Sequence, residues 1–346
     1  MKKIIISMMA VAALAACTKS EIQYEPAGEI AFAPVAKNVT KSVAGYNGDT
    51  FDGVFPTGIN LYVFANASND AGTAWDAPYF ENAKFVYNES KDVNTAVKGA
   101  YAGDPTRYWP NVKTLKFAGY SDACGVAKEA EMDFEANELT IPEYTQDNAT
   151  YKEEGQNDLM WFPCDNTPYS KQATEIAAEM KHACSWITIK VAGDAVTASN
   201  WTLNSLVVTE LVHSGSVVCD DETATWTLDT ATADEDYYNA GTTFTTEYVK
   251  YEDNANNFIV LPQEPTELEV NYTYVSDNRG TADTSDDITL TETKSVSLDY
   301  VAAGTAWQPG VHYIYNVKIT ATEILIDPVV VDWTNYTGND IAKEVL

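Results

Sequence analysis

The chain has 346 residues, and 21 Lys and Arg stand against 51 Asp and Glu, which gives a formal net charge of −30. A hydrophobic content of 45% and an aromatic content of 12% exclude an intrinsically disordered chain, so the charge indicates an acidic surface over ordinary cores. Nucleic acid and anionic membrane surfaces would repel such a surface, and we expect neither as a partner.

The N-terminus has the three parts of a bacterial export signal. Lys2 and Lys3 supply positive charge, residues 4–14 form an apolar stretch too short to span a bilayer, and small residues follow. The sequence LAAC, which ends at Cys17, fits the lipobox of bacterial lipoproteins. We therefore predict a lipoprotein signal peptide over residues 1–16 and a lipid on Cys17 that anchors the chain to a membrane. An ordinary secretory signal with an incidental cysteine is the alternative.

After the signal, apolar and polar residues alternate with a period of two, which is typical of half-buried strands in antiparallel sheets. The pattern recurs in INLYVF, WITIKV, LEVNYTY and VHYIYNVKI, and it places on one face of each run Ile59, Leu61 and Val63; Ile187, Ile189 and Val191; Leu268, Val270, Tyr272 and Tyr274; and Val311, Tyr313, Tyr315, Val317 and Ile319. Clusters rich in Gly, Asn, Asp, Thr and Pro separate the runs and predict loops. The sequence therefore predicts an all-β fold.

Helical spacing is rare, and the one helical candidate is Ser170 to Met180, which alternatively leads into the next strand. The preceding CDNTPYSKQ is polar and turn-rich, and a new run of strands starts at His182, so we place a domain boundary near residue 170. The chain is long enough for two domains of about 150 residues, each with its own core. The prediction is two β-sandwich domains in tandem.

Four cysteines follow the signal, and they suggest no metal site. Cys124, Cys164, Cys184 and Cys219 form no CxxC pair and have no closely spaced histidine, which argues against zinc. An oxidising envelope would permit disulfides among them, whereas burial as small apolar side chains is the other interpretation. Both stay open.

The sequence carries no catalytic or cofactor motif. His182, His213 and His312 lie in strand contexts, and there is no GxSxG, no P-loop and no dinucleotide fingerprint. An acidic loop around Asp283 misses the spacing of an EF-hand calcium loop. We expect no cofactor, no bound metal and no enzymatic activity.

Several short motifs follow one another along the chain: LAAC, EIAFAPV, RYWPN with the following LKFAGY, DLMW, MKHACSWITIKV and WQPGVHYIYNVKI. Each is weak alone, but their order and spacing cover almost the whole chain. Together they resemble the fimbrillins, the lipoprotein-derived, protease-processed subunits of the type V pili of Bacteroidales. The resemblance implies two transthyretin-like antiparallel β-sandwich domains, export as a lipoprotein and polymerisation outside the cell.

The resemblance also implies a division of the chain after the signal. We expect an N-terminal strand or propeptide at 17–41, an N-terminal sandwich at 42–170, a C-terminal sandwich at 171–323 and a donor-strand appendage at 324–346. In a fimbrillin a protease removes the first strand, and the groove that opens accepts a strand from a neighbouring subunit. In EIAFAPV the alternation directs Ile30 and Phe32 inward.

The implied cleavage site follows a basic residue that a trypsin-like or Lys/Arg-specific protease would cut. The family site usually follows Arg, whereas this sequence offers Lys37 and Lys41 in a polar stretch. We favour Lys41, with Lys37 as the alternative. Lysines that are merely solvated on the surface are the other interpretation.

The C-terminus contains more strand material than its own sheet needs. After VKIT the chain continues as ATEILIDPVVVDWTNYTGNDIAKEVL, where shaft-type fimbrillins carry a two-strand appendage. We expect ILIDPVVVDW to be the donor strand, and in that strand the residues facing the neighbour's groove are Leu325, Val329, Val331 and Trp333. In an alternative phase, Ile324, Ile326 and Val330 face the groove. The remaining alternative is that this strand completes its own domain.

Two functions follow from the resemblance. The first is a structural pilus subunit, carried on the outer membrane and the cell surface, that joins other fimbrillin subunits by donor-strand exchange and contributes to adhesion. The second is a non-polymerising tip adhesin or surface lipoprotein of the same fold that binds a host or bacterial ligand, such as a glycan, through aromatic side chains. The candidate aromatics are Trp75, Tyr79, Trp109 and Trp161, which core packing would equally explain.

Overall fold

The computed structural model describes residues 28–36, 60–68, 74–75, 77–88, 100–110, 113–121, 130–146, 158–164, 175–198, 200–250, 258–276, 285, 287–299 and 306–332. In chain order the strands are β1 (Ala31–Ala36), β2 (Leu61–Ser68), β3 (Ala77–Asn88), β4 (Ala100–Gly103), β5 (Thr114–Ser121), β6 (Glu131–Asp133), β7 (Glu138–Thr145), β8 (Met160–Phe162), β9 (Ile176–His182), β10 (Ser185–Gly193), β11 (Trp201–Val212), β12 (Ser214–Cys219), β13 (Ala224–Leu228), β14 (Thr232–Thr243), β15 (Phe258–Val260), β16 (Glu267–Ser276), β17 (Ile288–Ser297), β18 (Val311–Ile319) and β19 (Ile324–Asp332). These residues contain no α-helix, and the predicted all-β fold is confirmed.

Strands of the first half, together with β9, form a closed barrel in the order β1-β4-β3-β2-β5-β8-β9. Neighbouring strands are antiparallel except β1 and β9, which are parallel. A parallel pair needs a long connection, and the chain between Ala36 and Ile176 supplies one. The barrel core, as we call the apolar cluster inside it, includes Ile30, Phe32, Phe80, Phe85, Tyr101, Trp109, Phe117, Phe162 and Ile176.

Two four-stranded sheets of the second half face each other as a sandwich, in the orders β15-β10-β18-β19 and β14-β11-β16-β17. Side chains from both sheets fill one cluster, the sandwich core, which includes Ile187, Leu203, Val270, Trp307, Tyr315 and Val317. Ile187, Ile189 and Val191 are all fully buried there, as the alternation in WITIKV predicts. This packing of two inner faces is the physical basis of a β-sandwich.

A third sheet, in the order β13-β12-β7-β6, connects the two halves of the chain. In it β7 pairs with β12, so residues 138–145 form a ladder with residues 214–219. The cluster beneath, the junction core, draws on both halves and includes Tyr120, Tyr144, Trp161, Trp186, Val217 and Ile259. The described parts of the two halves therefore share buried surface.

The segment predicted as either a helix or the start of a strand is strand β9. Ile176, Ala178 and Met180 are buried, whereas Ala177 and Glu179 are exposed, so burial alternates with a period of two. Ladders with β8 and β1 on either side outweigh the helix propensity of its Ala and Glu residues. Residue 170, the predicted boundary, lies outside the described residues, and β9 beyond it belongs to the barrel.

Two glycines in the recognised motifs have steric reasons. At Gly119, in LKFAGY, a Cβ would lie 2.5 Å from the Tyr62 carbonyl oxygen and 2.6 Å from the Phe162 ring, so only glycine allows this approach. Gly310, in WQPGV, has a φ of 68°, which favours glycine at the turn into β18. Beside that turn, the indole Nε1 of Trp307 donates to the Tyr315 hydroxyl at 2.8 Å.

Candidate functional site

Strand β1 occupies a gap in the barrel with a neighbour on each side. It is antiparallel to β4, with Phe32 opposite Tyr101, and parallel to β9, with Phe32 opposite Ile176. Backbone hydrogen bonds extend the attachment upstream, from the Ile30 N–H to the Arg107 carbonyl at 2.8 Å and from the Trp109 N–H to the Gly28 carbonyl at 2.9 Å. The first described segment of the chain therefore closes the barrel.

The inward-facing side chains of β1 and of the residue before it are buried where the structure describes them. Ile30 and Phe32 are 0% exposed, as the alternation in EIAFAPV predicts. The Phe32 ring lies 5.0 Å from the Phe85 ring, 5.2 Å from the Phe117 ring and 5.8 Å from the Phe162 ring, measured between centroids. Each large apolar side chain buried in this way stabilises the fold by roughly 1.5–3 kcal/mol.

Removal of β1 would leave a specific vacancy. The strands β4 and β9 would each lose a ladder partner, and the aromatic side chains around Phe32 would face an open groove. Unpaired strand edges beside an apolar groove are the features that bind an added strand. An extended peptide with apolar residues at every second position would match the vacancy that β1 fills.

The processing and lipidation residues predicted from the sequence lie outside the described residues. Cys17, Lys37 and Lys41 are all in this group. Strand β1 ends at Ala36, and Lys37 is the next residue in the chain. A cut after either lysine would therefore fall on the C-terminal side of the complete strand β1.

The predicted donor segment is strand β19, and it lies at one end of its sheet among the described strands. It pairs antiparallel with β18 over its whole length, from Ile324 opposite Ile319 to Asp332 opposite Val311. Ile324 and Ile326 pack partly buried against the sandwich core, whereas Leu325 on the other face is 47% exposed. In this structure the strand completes the sheet of its own chain.

The remaining predicted donor residues differ in how far the structure describes them. Val329 is half-buried, and Val331 pairs with His312 through the backbone. The side chain of Val331 and all of Trp333 lie outside the described residues.

A buried carboxylate–imidazole pair joins two of the recognised motifs. Asp158 of DLMW and His182 of MKHAC are 2.5 Å apart between Oδ2 and Nδ1, and both side chains are almost fully buried. Burial raises the pKa of Asp158 above its ordinary value, although His182 opposes the shift. Sequence reasoning did not pair these residues, because their contact depends on the neighbouring placement of β8 and β9.

The other two histidines also have structural roles. His312 stacks on Trp186 with ring centroids 3.7 Å apart, and its Nε2 lies 2.9 Å from the Thr188 hydroxyl. Burial lowers the pKa of His312 well below its ordinary value, and Lys250 and Lys190 add to the effect. His213 lies 3.1 Å from Glu235.

The structure divides the four candidate platform aromatics between cores and surface. Trp109 and Trp161 are buried, the first in the barrel core and the second in the junction core. Tyr79 is exposed, and its hydroxyl donates to the Tyr108 carbonyl at 2.8 Å. Trp75 is half-buried beside the Lys116 ammonium. The four residues therefore do not form one platform.

The described cysteines are buried. Cys184 and Cys219 both lie in the junction core, and burial raises the pKa of each thiol well above its ordinary value. Neither is bridged to a described residue, which favours their interpretation as small apolar side chains. Cys164 is also buried, and Cys124 lies outside the described residues.

The described ranges of the chain offer neither a metal-binding cluster nor a membrane-spanning helix. No group of three or more His, Cys, Asp or Glu side chains in those ranges could hold a metal ion. No helix there is long and apolar enough to cross a membrane.

Comparison with known proteins identifies the family. Residues 47–333 match the family described as fimbrillin-like. The chain is similar to the crystal structure of a fimbrial protein from Bacteroides vulgatus ATCC 8482, with a TM-score of 0.54 and 15% identity, over 80% of this chain and 93% of that one. A structure described as a cell adhesion protein from Bacteroides ovatus ATCC 8483 has a TM-score of 0.50 and 13% identity, over 89% of this chain and 98% of that one.

At these identities the solved structures show a shared fold and no more. A search of curated protein sequences finds no match. The family match rests on different information, because it follows the sequence over most of the chain, and it confirms the resemblance carried by the short motifs. The chain belongs to the fimbrillin-like family.

Proposed function

We propose that this protein is a polymerising pilus subunit, exported as a lipoprotein through Cys17 to the outer membrane. A Lys/Arg-specific protease then removes its first strand, and a strand of a neighbouring subunit enters the groove. Family membership supports the coarser part of this proposal, a structural, non-enzymatic pilus or adhesion subunit at the cell surface that associates with other fimbrillin subunits. The finer part is argued from the geometry of β1.

The observation that carries the proposal is the position of β1. It is an N-terminal strand with ladders on both sides, and its described inward-facing side chains are buried. The two candidate cleavage residues, Lys37 and Lys41, follow within five residues of its end. A cut at Lys41 or Lys37 leaves β1 held by noncovalent contacts alone. Once β1 leaves, main-chain groups of β4 and β9 and the walls of the barrel core favour a replacement strand.

Polymerisation follows if the replacement comes from another copy. The donor segment lies at the C-terminal end of the described chain and the groove contains its N-terminal end. Such a contact is head-to-tail, and a head-to-tail contact that does not close into a ring builds a filament. A donor strand that is paired on both edges can leave only by breaking both ladders together. We therefore expect the contacts between subunits to persist in detergent.

The test begins with the purified chain from Thr18, treated with a Lys/Arg-specific protease. We expect one cut near Lys41, read by N-terminal sequencing, followed by high-mass ladders on SDS gels that disappear on boiling. The matched controls are Lys41→Gln and Lys37→Gln chains, since only the variant at the true site should resist the cut. A chain that is cut there and stays monomeric would contradict the polymerisation step.

One observation favours a non-polymerising tip adhesin or ligand-binding lipoprotein of the same fold. Strand β19 is already paired with β18 along its whole length, so its release requires free energy to break that ladder. Deletion of residues 324–346 separates the two functions. In the pilus subunit we expect this deletion to leave a folded barrel and abolish ladders, measured by circular dichroism and unheated gels. If the truncated chain still forms ladders, β19 is not the donor.

A further inference from the structure

The first and last strands of the described chain share a sequence pattern. Residues 29–36 read EIAFAPVA, and residues 323–330 read EILIDPVV. Glu, Ile, Pro and Val are identical at four aligned positions, and a large apolar residue, Phe32 or Ile326, stands between the Ile and the Pro in both. The two strands that share the pattern are β1, which occupies the groove, and β19, the predicted donor.

The matched residues lie on equivalent faces of the two strands. Ile30 and Phe32 point into the barrel core and are fully buried. Ile324 and Ile326 point into the sandwich core, but they are only partly buried there. The β19 face that carries the repeat therefore already packs against an apolar core, as it would in the groove.

We propose that residues 323–330 of one copy replace residues 29–36 of the next copy, residue for residue and in the same direction. In this register Ile324 replaces Ile30, Ile326 replaces Phe32 and Pro328 replaces Pro34. The donor then lies parallel to β9 and antiparallel to β4, as β1 does. This inference rests on the proposed function, and it selects the phase in which Ile324 and Ile326 enter the groove.

The exchange increases both pairing and burial of the donor. At home β19 has one ladder partner among the described strands, β18, whereas the position of β1 offers two. Ile324 and Ile326 would pass from partial burial to sites where Ile30 and Phe32 have none of their surface exposed. Each of these changes favours the donor in the groove, because buried apolar surface and main-chain hydrogen bonds add along a strand.

The shared proline fixes the register. Pro34 lies opposite Ala178 of β9, so the groove accepts a residue without an N–H at this position. A donor shifted by one residue would place Pro328 where the groove pairs a residue that has an N–H. It would also turn Asp327 inward, and a buried carboxylate without a partner is costly.

One mismatch makes a separate prediction. Ile326 is smaller than Phe32, so the donor leaves part of the aromatic pocket between Phe85, Phe117 and Phe162 unfilled. The change Ile326→Phe should fill it, and we expect ladders of this variant to need a higher temperature to dissociate in SDS. An unchanged or lower temperature would argue that residue 326 does not enter the pocket.

Disulfide trapping tests the register directly. Ala33 lies opposite Ala177 of β9, and Ala177 is exposed. In the proposed register Asp327 takes the place of Ala33. The chain from Thr18 with Asp327→Cys and Ala177→Cys, cut by the protease and oxidised with oxidised glutathione, should therefore form ladders that survive boiling and disappear with reductant. The out-of-register controls combine Ala177→Cys with Ile326→Cys or Pro328→Cys.

The outcomes separate the register from the proposed function. Cross-links at position 327 alone, and none before protease treatment while β1 fills the groove, support the proposal. Ladders that cross-link through position 326 or 328 instead overturn the register and leave donor-strand exchange standing. A chain without engineered cysteines that forms no ladder after the cut overturns the proposed function, and the register falls with it.

Discussion

At the scale of single residues, Phe32 connects the first strand to the rest of the barrel. Its ring contacts phenylalanines from β3, β5 and β8, so three other strands depend on one side chain near the N-terminus. The Asp158–His182 pair beside the barrel and the His312–Trp186 stack in the second half are the buried polar counterparts. The contributions of Phe32 and His312 to the free energy of unfolding can be measured directly.

Truncation of Phe32 should destabilise the uncut chain strongly. We expect Phe32→Ala to lower the free energy of unfolding by about 3–5 kcal/mol, because it removes a fully buried ring and leaves a cavity. Urea titration followed by tryptophan fluorescence measures the change. The control is Leu325→Ala on the exposed face of β19, for which we expect a change within about 0.5 kcal/mol. Equal effects of the two variants would contradict the burial argument.

Titration of His312 should make the fold sensitive to mild acid. Its folded pKa lies well below 6.5, so the unfolded chain binds a proton that the folded chain excludes. Stability is then retained above pH 6.5 and falls as the pH drops below it, by up to about 1.4 kcal/mol per pH unit. The variant His312→Gln lacks the imidazole that binds this proton in the unfolded chain.

The measurement is the free energy of unfolding from pH 7 to about 5 for both chains. We expect the stability of the wild-type chain relative to His312→Gln to decrease with acidification. Burial raises the pKa of Asp158, so its contribution to stability changes with pH in the opposite sense. Asp158 is present in both chains, and its contribution cancels in the comparison. His213→Gln controls for the loss of a histidine. Parallel curves for the wild type and His312→Gln would contradict the prediction.

At the scale of elements, the two strands that matter most differ in their neighbours. Strand β1 lies between β4 and β9, whereas β19 pairs with β18 alone among the described strands. The strand with two ladders and with Ile30 and Phe32 fully buried is the one that precedes the candidate cleavage sites. This asymmetry predicts that an added copy of β1 competes for its own groove.

A synthetic peptide of residues 28–36 should block assembly of the cut chain. It restores the side chains of Ile30 and Phe32 and both ladders, so it occupies the groove before a donor enters. Added in excess after the protease is quenched, it should reduce SDS-resistant ladders in a dose-dependent way. The same peptide with Phe32→Asp is the control, because a carboxylate in the aromatic pocket prevents binding. Ladders that are insensitive to the first peptide would argue against the groove.

At the scale of the whole molecule, the acidic surface opposes assembly. The net charge of −30 means that two copies repel each other as they approach. The cores are ordinary apolar clusters, so the charge affects association between copies more than the fold of each copy. Assembly should therefore depend on ionic strength in a way that a neutral subunit would not.

Salt should accelerate ladder formation by the cut chain. Between about 20 and 200 mM NaCl the Debye length falls from roughly 20 to 7 Å, and we expect assembly at least ~3-fold faster at the higher concentration. The cut is made first and the protease quenched, so salt acts on assembly alone. Sucrose at matched osmolality is the control. A rate that is independent of salt would show that the charges lie away from the joint.

The sequence by itself determined the strand class, the inward direction of Ile30 and Phe32, and the family, because alternation and short motifs are local properties of the chain. Only the tertiary structure decided that β9 is a strand, that β1 lies parallel to it, that Asp158 meets His182, and that Ile324 rather than Leu325 faces a core. These are choices of partner between distant segments. Alternation in the sequence allows either face of a strand to be buried and any strand to be its neighbour. The burial of one apolar face against a particular sheet selects both the face and the neighbour.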